Sequence, residues 1–188
     1  MLEYKIAQLC DIEATLKLHA KYQVDTINPE DKKDGFVTTP FSKEELTELI
    51  EQESGLFIAK DGDEVVAYVM SASWEFWSKW PMFAFMAQNL EGKSFKGIEI
   101  TKNNSYQYGP IAIDKRFRGT NLLFNIFDFA REHMAKRYPI LITFVNKINP
   151  RSFKAHSKLG LKVLSEFEYN NNHYYEMVYD TSVKIKRV

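Results

Sequence analysis

Two β-rich runs, YQYGPIAI at residues 106–113 and ILITFV at 140–145, flank a segment whose apolar residues recur at helical spacing. Leu122, Leu123, Ile126, Phe127, Ala130 and Met134 fall on one stripe, and Lys136, Arg137 and Pro139 mark its end. The second run is apolar almost throughout, as strands covered on both faces are. Pro110 lies inside the first run and cannot donate a ladder hydrogen bond, so that strand has a bulge or an edge there and part of its backbone is left unpaired. A strand, helix, strand order of this kind asks for a mixed α/β sandwich.

The rest of the chain extends the pattern. YKIAQL reads as a short first strand, and Asp11 precedes a helix in which Ile12, Leu16 and His19 or Ala20 keep the apolar spacing. Ser42 opens a second helix with Glu45 where a capping box needs it, and that helix ends near Ser54 and Gly55. LFIAK, DGD and EVVAYVMSAS form a hairpin, since Asp-Gly between β-rich runs is a strong turn signal. Residues 74–104, rich in aromatics and then in polar residues and glycine, read as an insertion. NPRSFKAHSKLG is a short helix with Asn149 as N-cap, Pro150 at the first helical position and Gly160 as its stop. LKVLSEFEY, NNN and HYYEMVYD close the chain as a hairpin.

Composition removes several classes of partner. Lysine plus arginine balances aspartate plus glutamate at 25 each, so no net field draws the chain to nucleic acid or an anionic membrane. No apolar stretch has the length of a signal peptide or a membrane span, so a cytoplasmic location is expected. Cys10 is the single cysteine; it excludes an internal disulfide and reads as a small buried apolar residue near the first strand.

From Tyr4 to Asp180 the sequence resembles the GNAT family of N-acetyltransferases. GPIAI followed by DKRFRG and a helix is similar to the family's acetyl-CoA motif, in which Arg or Gln is followed after two residues by Gly and after one more by Gly or Ala. NPRSFKAHSKLGL is similar to its N-x-R-A-x-x-x-Y-x-x-x-G-F helix, and the closing hairpin completes the match. The chain departs from the pattern in holding Asn121 at the central glycine, Leu123 at the final small residue, Ser152 at the alanine, His156 at the tyrosine and Leu161 at the phenylalanine.

The resemblance implies one domain over residues 1–188, a mixed central sheet of about seven strands with helices on both faces, and an insertion at 74–104 between strands three and four. It implies acetyl-CoA as acyl-donor cosubstrate, no metal, and a small-molecule or peptide amine as acceptor. A helix start offers free N–H groups and partial positive charge to a diphosphate, which places Arg116, Arg118, Gly119, Thr120, Asn121 and Leu122 at that end of the cofactor. Asparagine tolerates left-handed dihedrals, so Asn121 is expected to hold the loop in place of glycine. Strand backbone at Ile111, Ala112 and Ile113 would pair with the pantetheine arm, with Asn149 and Ser152 toward the acetyl end.

His156 takes the position of the family's general acid and is suited to protonate a departing thiolate, although a lone histidine on a helix face is also an ordinary core residue. The general base is open among Tyr108, Glu99, Glu75 and an ordered water chain. The aromatic stretch from Trp74 to Met86 is core, a homodimer contact, or a wall over the acceptor site. A non-catalytic acyl-CoA sensor or scaffold is the alternative to the enzyme.

Overall fold

A computed structural model describes residues 1–185 of the chain. In chain order it contains β1 (Glu3–Ile6), α1 (Ile12–Tyr22), α2 (Lys43–Glu48), β2 (Leu56–Asp61), β3 (Glu64–Ala72), α3 (Trp74–Trp77), α4 (Pro81–Gln88), β4 (Ser94–Phe95) and β5 (Ile98–Glu99). Then follow β6 (Ser105–Ile113), α5 (Leu122–Met134), β7 (Ile140–Asn146), α6 (Pro150–Leu159), β8 (Lys162–Tyr169) and β9 (Asn172–Asp180). Seven strands form one sheet in the order β1-β2-β3-β6-β7-β9-β8, and β4 and β5 make a separate small hairpin. The sheet is mixed, because β6 and β7 run parallel while β7 and β9 run antiparallel.

The chain divides into two compact units: Met1–Ser71 with Gly109–Ala130, and Ala72–Tyr108 with Arg131–Val188. In the first, β1, β2 and β3 form an antiparallel meander whose tight turn places Gly62 at φ 59°, as the Asp-Gly signal requires. Alternation along the strands sends neighbouring side chains to opposite faces. Tyr68 looks toward α1, where its hydroxyl lies 2.7 Å from His19 Nδ1, whereas Phe57 looks toward α5 and meets Phe129 with ring centroids 6.1 Å apart. Ser42 and Glu45 form the expected reciprocal cap on α2. The helix finishes in a wide turn over Leu49–Glu53, closed by Ser54 in the left-handed region.

Cys10 is exposed, against the sequence expectation. The short turn Leu9–Asp11 turns the Asp11 carboxylate inward instead, where it accepts from the Gln8 N–H and pairs with Lys5 and Lys60. A carboxylate with three partners claims the interior position because it must be satisfied, and the neighbouring thiol is left outside.

In the second unit, the segment read as an insertion supplies core. Trp74, Met86 and Leu90 pack on Ile140 and Ile142 of β7 and on Val178 of β9. Trp74 and Trp77 are fully buried, and each keeps its indole donor satisfied, through Ser105 Oγ and the Gln107 carbonyl, both at 3.0 Å. Helix α6 covers the other face, with Phe153 against Tyr175 at 4.5 Å. Asn149 caps α6 by accepting from the Ser152 N–H, Pro150 stands in its first turn, and Gly160 ends it at φ 98°. Among the described residues no helix is long and apolar enough to cross a membrane.

Candidate active site

In the first unit, β6 runs into a short 3-10 turn, Lys115–Phe117, and then into α5. Asp114 builds this turn. Its own N–H donates to the Val66 carbonyl at 2.8 Å, and its buried carboxylate accepts from the Arg116 backbone and guanidinium and from Lys21. Burial alone would push the carboxyl pKa up, but the Arg116 and Lys21 hydrogen bonds outweigh it and hold it at about 2.

Arg116 and Arg118, which sequence assigned to phosphates, already have protein partners, as does Lys115 beside them. Arg116 also reaches Glu64 at 2.8 Å, and Lys115 lies 3.4 Å from Asp31. Arg118 sits 4.9 Å over the Tyr22 ring and donates to the Ile113 and Asp34 carbonyls. These side chains tie the turn to β3, to α1 and to the segment before α2.

Gly119 takes φ 80°, and an added Cβ there would meet nothing within 4 Å, so the backbone at this point is open to approach. Thr120 Oγ1 accepts from the Leu122 N–H at 3.2 Å, and the Asn121 carbonyl accepts the first helical bond, from Asn125. Asn121 thus occupies the N-cap position of α5, with the preceding Thr120 hydroxyl taking the Leu122 N–H, and is absent from the left-handed positions. This corrects the expectation of a glycine substitute: the left-handed residue is Gly119, and Asn121 is the position from which the helix starts. Gly119, Thr120 and Asn121 are exposed while Leu122 is buried, so the residues present suit a diphosphate laid on the helix start.

The second unit holds Tyr108 and His156, which the sequence named for proton transfer. The ladder between β6 and β7 covers Ser105–Gln107 against Ile140–Ile142. At the next residue the Tyr108 carbonyl accepts from two side chains, Thr143 Oγ1 and Gln107 Nε2, each at 2.9 Å. Side chains therefore close the ladder where a backbone N–H would have extended it. Pro110 lies beyond this point, in the portion of β6 that belongs to the first unit with Ile111, Ala112 and Ile113. Ala112 is buried, and Ile111 and Ile113 are half-buried.

Tyr108 and His156 meet edge to face, with ring centroids 5.6 Å apart. Burial pushes the Tyr108 hydroxyl far above its ordinary value, so the phenol rests protonated. His156 is buried, and its Nδ1 lies 2.8 Å from the Ser152 carbonyl and 3.3 Å from the Ser152 hydroxyl. A carbonyl only accepts, so Nδ1 carries a proton. Burial pushes the imidazole pKa down, more than the Ser152 carbonyl raises it. Glu75 and Glu99, the carboxylate candidates for a base, are both exposed on the segment before β6.

The sequence matches no family model and no curated protein. Solved structures match over nearly their whole length. An acetyltransferase of the GNAT family from Streptococcus pneumoniae is 12% identical, with 96% of this chain and 99% of that one covered and a TM-score of 0.64. The chain has the GNAT fold. The ribosomal-protein-S18-alanine N-acetyltransferase from Escherichia coli shares the GNAT fold with this chain at 11% identity, 100% and 99% coverage and a TM-score of 0.61. A Salmonella typhimurium protein solved with its cofactor acetyl-CoA is 10% identical, covering 96% of this chain and 94% of that one at a TM-score of 0.61.

Within this GNAT fold the sequence reading overlooked Gln107, Asp114 and Thr143. Two of them carried a signal, since Gln107 and Thr143 are the polar residues inside otherwise apolar or aromatic strands. Asp114 carried none, because its partners Lys21 and Glu64-bound Arg116 come together only on folding.

Proposed function

We propose that this chain is an acetyl-CoA-dependent N-acetyltransferase that moves the acetyl group to a primary amine of a small molecule or peptide. The observation that carries this reading is the GNAT sheet itself, with its β6 to β7 ladder closed at Tyr108 by the Thr143 and Gln107 side chains. Exposed backbone at Gly119, Thr120 and Asn121, at the start of α5, is suited to the diphosphate, and Arg116 and Arg118 shape the turn that presents it. Backbone of Ile111, Ala112 and Ile113 serves the pantetheine arm. Asn149 and Ser152 are assigned to the acetyl end, and His156 to protonating the departing CoA thiolate, whose conjugate acid has a pKa near 8.5 by analogy with cysteine. The amine attacks the thioester directly, so that positioning and polarisation of the carbonyl by strand N–H groups supply most of the acceleration. The acceptor is free amine, the location is cytoplasmic, and the buried tryptophans of α3 serve the core.

A second reading has its own observation. Lys115 and Arg116 are paired with carboxylates, which leaves less cationic charge for phosphates and suits a weak acyl-CoA sensor. A thermal-shift titration with CoA and acetyl-CoA separates the possibilities. Ligand at ~100 times its dissociation constant should stabilise the fold by about 2.7 kcal/mol. No shift at millimolar ligand removes both readings. A shift without thiol release across a panel of amines leaves the sensor, and a shift with release that His156→Ala abolishes supports the transferase.

A further inference from the structure

His156 has an unused atom. With Nδ1 donating to Ser152, the free lone pair is on Nε2, which is buried and has no hydrogen-bond partner among the described residues. A buried acceptor left unmade costs about 1–3 kcal/mol, so such an atom calls for a donor. The titratable group that meets the ring is Tyr108 of β6, kept neutral by burial. Arg151, Lys154 and Lys158 of its own helix are exposed. Burial and the Ser152 carbonyl are the influences on its ionisation, with no charged neighbour among them, so the resting imidazole is neutral.

A neutral Nδ1–H imidazole has no proton to give at Nε2. Resting on the transferase reading above, we infer that Nε2 of His156 first takes the proton released by the attacking amine and then delivers that same proton to the CoA sulfur. The nitrogen lone pair forms the C–N bond and the carbonyl π pair moves to oxygen. The N–H proton passes to Nε2, giving a transient imidazolium. The oxygen pair re-forms the carbonyl, the C–S bond breaks with its electrons on sulfur, and the Nε2 proton completes the thiol. Imidazole is restored, and amine plus thioester becomes amide plus thiol with nothing else consumed. One residue then serves as base and acid in turn, and the exposed Glu75 and Glu99 are not needed.

Two measurements test this. In ligand-free protein with 15N-labelled histidine, the His156 signals, assigned by their loss in His156→Gln, should show a protonated Nδ1 and a bare Nε2 down to a pH below 6.5. A proton on Nε2 at neutral pH overturns the inference. In kinetics with arylamine acceptors, chosen because their nitrogens stay unprotonated near neutral pH, kcat should rise with pH through one group below 6.5 and then stay level. His156→Tyr, which keeps a proton donor but loses the basic nitrogen, should lower kcat by about 100- to 10,000-fold. A kcat that falls as pH rises through that group, or a His156→Tyr enzyme at full rate, overturns the shuttle while leaving the transferase standing. Absence of thiol release from the wild-type protein with every amine overturns both.

Discussion

Gly55 shows how one missing side chain can decide a join between elements. An added Cβ would lie 2.0 Å from the Ser71 carbonyl oxygen and 2.9 Å from Leu49 Cδ1. That carbonyl belongs to β3 backbone, whose N–H at Ser71 also donates to the Gly55 carbonyl at 2.8 Å, so it cannot retreat without breaking the pair. Gly55→Ala should therefore destabilise the fold by about 3 kcal/mol, read as a lower urea midpoint at unchanged slope. Asp114 is the second such residue. Asp114→Asn keeps the shape but removes the charge that Arg116 and Lys21 share, and since both partners are half in solvent the expected cost is about 1–2 kcal/mol. Chemical denaturation at pH 7 measures it, and the same variant should weaken CoA binding if the turn is what presents the helix start.

At the scale of elements, the segment between β3 and β6 is fastened to β9 by charge as well as by aromatic packing. Lys93 Nζ lies 2.6 Å from Glu176 Oε2, and Ser165 Oγ donates to the same oxygen at 2.6 Å. The Glu176 side chain is 1% exposed and that of Lys93 is 23% exposed. Removing the lysine strands a buried carboxylate, so Lys93→Met should cost about 3 kcal/mol, whereas Lys93→Met with Glu176→Met should recover most of it. Thermal unfolding of the two variants side by side checks this. A loss in the double variant equal to that in the single would show that the pair acts through something other than the stranded charge. The helix caps belong to the same scale. Ser42, Asn149 and Gly160 each do in the fold what their residue types favour, because a cap is a contract between residues three or four apart and needs no distant partner.

At the scale of the whole molecule, two buried histidines set the response to acid. Burial pushes the His19 pKa from 6.5 to about 4, and it pushes that of His156 down as well. Between pH 6.5 and 4 the unfolded chain therefore binds protons that the folded chain refuses, and stability falls as pH falls through that window. For His19 the shift corresponds to about 3 kcal/mol. Below pH 4 the loss continues as Asp11 and Asp114, whose pKa values are lowered in the fold, are protonated. Urea midpoints measured from pH 8 to pH 4 should decline, and His19→Gln should flatten the decline between pH 6.5 and 4. What the sequence by itself determined here is whatever neighbours along the chain decide: strand and helix order, the Gly62 turn, the caps, and the placing of His156 on a short helix. Tertiary structure alone decided that Asn121 starts α5 outside the left-handed region, that Cys10 faces outward, that Trp74 and Trp77 are core, and that Nε2 of His156 has no hydrogen-bond partner among the described residues. Each of those outcomes turns on a partner distant in sequence or on competition for interior space, and burial and hydrogen-bond satisfaction are properties of the packed chain.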